Sequence, residues 1–288
     1  MRMMKRLAVC VLAAAMSLTM LTACGDDTPS APANPSNPGT SQGSGSGDSG
    51  NSGNSSGQNP GGAENGGSNT GTVTWLASKT YKYNKILQGN KIYMKANYRI
   101  MEDEENQVVD YVYNQDMAKA YMETTLNGMK ESVLLADNWA YVVVPEGKII
   151  KGEKIGLKIQ ADDFEQQELN DKLNQCKVIS KILLTPGNTS EIKAEKKTLA
   201  GTTYDTESYT VTYEGSSANV TTYYLGGVLK YVIAEDSTAQ IKIRFDEINE
   251  SPKANLLKPA ADYTFYTVDS QGNVYDENGV YLGNLSQD

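Results

Sequence analysis

Carboxylates, thiols and tyrosines are the side chains of this sequence with chemistry to offer, and their placement decides how much of it is usable. Glu102, Asp103, Glu104 and Glu105 form one acidic cluster and Asp162, Asp163 and Glu165 another. In a cleft such groups could pair as general acid and base or ligate calcium. Each cluster sits at a predicted turn or helix start, where solvated carboxylates belong on structural grounds alone. Histidine is absent from all 288 residues, which removes Ser-His-Asp and Cys-His nucleophile pairs and His-ligated zinc, iron or copper. An Asp-x-x-Gly rhythm at 269–272 and 276–279 invites comparison with a calcium loop. Counting back from Gly279 puts Val274 in the first ligand position, so the match fails. These patterns predict no catalytic residue, no metal site and no cofactor, and the chain reads as a non-enzyme. The 18 tyrosines carry apolar rings with polar tips, suited either to lining a groove or to filling a β-protein core.

The three cysteines have separate settings. Cys10 lies in "LAVCVLAAAMSLTMLTA", an apolar run after the basic start "MRMMKR", too short and too poorly flanked for a membrane span. This predicts a secretory signal over residues 1–23. The following "LTAC" resembles the bacterial lipobox, an apolar residue and two small ones before a cysteine. The resemblance implies cleavage between Ala23 and Cys24, a diacylglycerol thioether on Cys24 and acylation of the new amine. Two or more buried chains make a stable anchor, each methylene being worth ~0.8 kcal/mol. The expected location is therefore the extracytoplasmic face of a bacterial membrane, with the bilayer as partner through Cys24. The alternative is an ordinary signal that leaves Cys24 as a free thiol. Only Cys176 remains for the folded part, so no intramolecular disulfide is expected.

Residues 24–72 are Gly, Ser, Asn, Pro and Thr with almost nothing apolar, as in "SQGSGSGDSGNSGNSSGQNPGG". Such a segment buries too little to offset its ordering entropy, and is expected to act as a disordered tether spanning roughly 40 Å. Removing Arg2, Lys5 and Arg6 with the signal leaves 23 basic against 35 acidic side chains. That surface as a whole repels nucleic acid and anionic headgroups.

From residue 73 to 288 the sequence alternates β-prone runs with turn signals at 88–90, 102–106, 114–116, 127–128, 137–138 and 145–147. In "KIYMKANYRI" the residues Ile92, Met94, Ala96, Tyr98 and Ile100 share one face, with Tyr93, Lys95, Asn97 and Arg99 on the other. This pattern predicts an antiparallel meander with one wet side. "VTTYYLGGVLKYVIAED" reads as a hairpin turning at Gly226 and Gly227. One segment breaks the rhythm. Asp162 with Glu165 makes a capping-box-like start, and Leu169, Leu173 and Cys176 recur at helical spacing, predicting a helix over about 162–176. Cys176 is expected to pack as a small hydrophobe against the sheet. From about residue 269 a turn-and-strand appendage closes the chain. The fold class that follows is mainly β (α+β), a single curved antiparallel sheet with helical segments filling its concave side.

"KKTLAGTTYDTESYTVTYE", "VTTYYLGGVLKYVIAED" and "AQIKIRFDEINESPKANLLKPAADYTFYTV" resemble the C-terminal half of the LolA/LppX-like half-barrel lipoproteins. Leu257, Pro259 and Tyr263 match that family's closing motif, with Leu257 where an aromatic is usual and Tyr263 one residue late. The resemblance covers roughly residues 79–268. It implies a half-open barrel whose apolar concavity shelters a lipid or another hydrophobic ligand. Met94, Tyr98, Met122, Trp139 and Tyr141, large or adaptable side chains on central strands, are the candidate ligand-binding residues. The competing expectation is a cargo-free structural or interaction module that meets protein or cell-wall partners at the cell surface.

Overall fold

The computed structural model describes residues 71–102, 105–143, 154–160, 163–187 and 191–285. The signal, Cys24 and nearly all of the expected tether lie outside the described residues, as do the 145–147 turn and the side chains of both acidic clusters. Fifteen strands among the described residues form one sheet. A first meander runs β2 (Lys91–Glu102), β3 (Glu105–Asp116), β4 (Lys119–Leu126), β5 (Met129–Ala136), β6 (Trp139–Val143) and β7 (Ile155–Gln160). A second runs β8 (Glu191–Leu199), β9 (Thr202–Tyr213), β10 (Ser216–Leu225), β11 (Val228–Glu235) and β12 (Ala239–Asn249). The two join edge to edge through an antiparallel β12–β2 ladder from Ala239 opposite Glu102 to Asn249 opposite Tyr93. β1 (Gly71–Thr74) pairs with β8 at one edge, beginning two residues before the expected domain start. β13 (Thr264–Val268), β14 (Asn273–Tyr275) and β15 (Tyr281–Asn284) extend the other edge.

One pair departs from the antiparallel expectation. β13 runs parallel to β7, from Thr264 opposite Ile155 to Val268 opposite Ile159, because the chain arrives there by a crossover and not by a hairpin. Elsewhere the turn chemistry follows the sequence. Asn127 and Gly128 have φ of 53° and 80°, and Gly226 and Gly227 have φ of 57° and 77°, the left-handed pair a type I′ hairpin needs. The turn expected at 114–116 falls instead at Met117, since Asn114, Gln115 and Asp116 pair with β2 and β4.

Among the described residues three α-helices lie on one face of the sheet. α1 (Lys79–Gln88) connects edge strand β1 to central β2, while α2 (Asp163–Leu173) and α3 (Gln175–Leu183) connect β7 to β8. The single helix expected over 162–176 is thus a pair that breaks at Asn174 and continues to Leu183. α1 was not legible as a helix, and the 88–90 signal marks its junction with β2. Its Ser78 N-cap accepts from the Tyr81 N–H, and Tyr83, Ile86 and Leu87 supply the buried face. The helices are touched by β2, β4, β5, β9 and β12 and bonded by tyrosines of β2, β3 and β9. Strands so far apart in the order meet one narrow helical layer only if the sheet curves around it, so the helix-covered face is the concave one.

The opposite face carries a strap. Residues 250–263 lead from β12 to β13 across it, and the 3₁₀ turn Ala254–Leu257 packs on β3, β4 and β5. Asn114, fully buried, clamps the strap by donating to the Lys253 carbonyl at 3.1 Å and accepting from its N–H at 2.8 Å. The "LLKPAADY" motif is part of this strap.

Candidate functional site

The concave face is lined by alternate residues of consecutive strands. Ile92, Met94, Ala96, Tyr98 and Ile100 of β2 continue into Tyr111 and Tyr113 of β3, Met122 of β4, Val133 of β5 and Val142 of β6. On the other side lie Ile241, Ile243 and Phe245 of β12 and Val220 and Tyr224 of β10. All belong to one apolar cluster with Leu169 and Leu173 of α2 and Cys176, Ile179 and Leu183 of α3. Met94 and Tyr98 are 0% exposed and Met122 1%, so three of the five candidate ligand residues sit together beneath the helices. Trp139 and Tyr141 do not join them. In β6 the buried, helix-facing positions are Ala140 and Val142, and the register Leu134–Tyr141–Lys158 turns both aromatics to the strap face. There Lys158 Nζ lies 4.0 Å from the Trp139 ring centroid, and Phe265 meets Tyr141 edge to face at 5.3 Å.

The tyrosines of the concave face grip the helices by their hydroxyls. Tyr98 donates to the Cys176 carbonyl at 3.0 Å and meets Ser180 Oγ at 2.7 Å. Tyr111 donates to the Leu173 carbonyl at the end of α2, and Tyr209 to the Leu183 carbonyl at the end of α3 at 2.9 Å. The Leu173 and Leu183 carbonyls close their helices and lack intrahelical donors, so the Tyr111 and Tyr209 contacts satisfy groups that burial would otherwise strand. Cys176, fully buried among them, packs against the sheet as expected, and burial pushes its thiol up, away from the reactive thiolate.

Two polar devices hold α1. Glu207 of β9, 5% exposed, accepts from the Lys79 N–H at 2.8 Å and from the Thr80 N–H at 2.9 Å. Its second oxygen also accepts from Thr80 Oγ1, which meets Tyr224 Oη at 2.7 Å. A carboxylate at a helix N-terminus satisfies free donors and opposes the helix dipole favourably. At the other end, Lys177 of α3 donates to the Gly89 carbonyl and to Gln115 Oε1, both at 2.9 Å. Burial, helped by Lys181, lowers its pKa to about 8.

These groups predict the pH profile of stability. The Lys177 value lies below its unfolded one, so the unfolded chain binds more protons between about pH 8 and 10.5 and stability rises with pH there. Burial raises the hydroxyls of Tyr98, Tyr111, Tyr113, Tyr209 and Tyr224, so stability falls once pH passes about 10 and the unfolded tyrosines ionise. Urea midpoints followed by circular dichroism should rise gently above pH 8 and drop above pH 10. Lys177→Met should abolish the rise and leave the drop.

Among the described residues two buried acceptors have no partner, Glu131 Oε2 on β5 and Asn170 Oδ1 on α2, elements that touch. Glu131 follows the concave row Tyr111–Thr124–Glu131 and burial raises its carboxyl. The Asp-x-x-Gly repeat is structural. Asp269 accepts from the Gln271 and Asn273 N–H groups and Asp276 from those of Asn278 and Val280, so each closes a turn. Among the described residues no group of three acidic or thiol side chains is placed to hold a metal, and no helix is long and apolar enough to cross a membrane.

Several solved structures are distantly similar to this chain. LprF from Mycobacterium bovis is 10% identical, with 64% of this chain and 96% of that one covered and a TM-score of 0.37. LppX from Mycobacterium tuberculosis, described as a lipoprotein, is 12% identical over 62% and 97% with a TM-score of 0.34. A DUF1329 family protein from Desulfovibrio piger is 10% identical over 64% and 96% with a TM-score of 0.25. No family model and no curated protein matches the sequence. Overlaps this partial leave the functional reading to the chain's own geometry.

Proposed function

We propose that this chain is a membrane-anchored extracytoplasmic lipoprotein that shelters a hydrophobic ligand, such as an acyl chain, between its helices and its concave face. In this reading residues 1–23 are the signal, 24–72 the lipidated cysteine and tether, and 73–288 the binding domain. The observation that carries it is the extent of the apolar face. From β9 through β13 it spans eleven strands, about 48 Å at the usual spacing, and helices of 9 to 11 residues, about 15 Å long, roof it. Met94, Tyr98 and Met122 then line the ligand's apolar path. Glu131 and Asn170 offer unpartnered acceptors to a polar donor at its end. In this reading a ligand enters by displacing the apolar contacts of α2 and α3 and the tyrosine bonds to their carbonyls, without tearing a sheet ladder.

The strap face favours a second reading, an interaction module without cargo. Trp139, Tyr141, Tyr263 and Phe265 gather there partly exposed, a surface suited to a protein or glycan partner. A fluorescent fatty acid titrated into the whole chain separates the two. Binding that Met122→Trp abolishes and Tyr141→Ala leaves intact supports the first reading. Absence of binding by the unmodified chain overturns it.

A further inference from the structure

The helical side of the molecule has a surface that its overall charge does not foretell. α1 carries Lys79, Lys82 and Lys85 and α3 carries Lys177 and Lys181, with no acidic residue in either helix, in a chain whose net charge is -9. Lys79 is paired with Asp205 at 2.7 Å, and Lys177 is turned inward. Lys82 and Lys85 are exposed, lying 5.5 Å and 5.9 Å from the Tyr83 and Tyr81 ring centroids.

Apolar side chains surround these lysines. Leu76, in the 3₁₀ turn Trp75–Ala77 that leads into α1, is 71% exposed, and its neighbour Trp75 meets Tyr81 edge to face at 5.3 Å. The β10–β11 hairpin tip carries exposed Leu225 and Val228. That tip is tied to α1, because Tyr83 Oη donates to the Gly227 carbonyl and accepts from the Leu229 N–H at 3.0 Å. Met117, also exposed, lies at the same end of the sheet, where its N–H bonds Asn90 just past α1. The antiparallel order forces this, since β11, β2 and β4 all start there. Lysines beside exposed leucines and half-exposed Trp and Tyr rings are the composition of an interfacial surface.

We propose that this end of the sheet, with the outer face of α1, docks on the headgroup layer of an anionic bilayer. Charge complementarity selects that occupant. Lys82 and Lys85 attract anionic lipid while the acidic remainder of the surface is repelled, so the chain is oriented as well as held. The proposal adds a second contact to the anchoring reading, and each can fail without the other.

The test uses the protein's two tryptophans. The whole chain, isolated from membranes, is reconstituted into phosphatidylcholine vesicles with and without phosphatidylglycerol, both containing brominated lipid. In Trp139→Phe, Trp75 should be quenched strongly in the anionic vesicles and weakly in the neutral ones. Lys82→Glu with Lys85→Glu should reduce that quenching several-fold, and added salt should reproduce the loss in the unmodified surface. In Trp75→Phe, Trp139 should stay unquenched. Equal quenching of both tryptophans, or quenching of Trp75 indifferent to charge and salt, would overturn the docking. Cys24→Ser separates the two claims, because docking predicts salt-sensitive Trp75 quenching on anionic vesicles even when this variant no longer fractionates with membranes.

Discussion

Glu207→Ala should destabilise the protein by about 3 kcal/mol, and Glu207→Gln by about 2 kcal/mol. Carboxylates such as Asp262 and Asp137 sit in exposed ion pairs, with Lys154 and Lys119, where truncation costs little. Glu207 is buried, and its partners are two backbone N–H groups and one hydroxyl. Alanine leaves the Lys79 and Thr80 N–H groups without acceptors in a site closed to water. Glutamine keeps the shape but turns an NH₂ toward one of those donors, so one bond is still lost and the helix N-terminus loses its countercharge. Urea denaturation of the three proteins measures this. Losses below 0.5 kcal/mol for both variants, on the order expected of an exposed carboxylate, would mean that α1 is held by its apolar face alone.

The combined substitution Tyr98→Phe, Tyr111→Phe, Tyr209→Phe should cost about 3 kcal/mol, near 1 kcal/mol for each hydroxyl bond, and its effect should be local. The rings remain, so the Tyr98–Tyr111 edge contact at 6.0 Å and the sheet core are preserved. What is lost is the grip on the ends of α2 and α3. Hydrogen exchange should accelerate in residues 163–183 while the β2, β3 and β12 ladder keeps its protection. If those helices are the roof over a ligand, uptake of a fluorescent fatty acid should also quicken. Uniform acceleration through the whole sheet would show instead that the tyrosines stabilise one indivisible core.

The concave face was legible wherever period-2 alternation coincided with residue size. Ile92, Met94, Ala96, Tyr98 and Ile100 declare a buried face on their own, and Asn127–Gly128 and Gly226–Gly227 declare their hairpins. Leu169, Leu173 and Cys176 revealed a helix, though not its break at Asn174. What stayed hidden depends on partners distant in sequence. α1 was obscured because "KTYKYNKILQ" is rich in β-prone tyrosine, and what makes it helical includes a carboxylate 127 residues downstream of Thr80. Trp139 and Tyr141 obviously share a face, but which face is decided by pairing with Leu134 and Lys158. Asn114 resembles a turn residue and proves to be the clamp of a strap arriving from Lys253. In each case the local pattern narrowed the options to two and tertiary register chose between them.

Native mass spectrometry of the whole chain, extracted gently from the membranes of the cells that make it, tests the central claim most directly. The account predicts a protein that begins at an acylated Cys24 and carries, in addition, a non-covalently bound lipid that Met122→Trp displaces. A chain that flies at its covalent mass alone, with no bound lipid before or after the Met122 substitution, would contradict it.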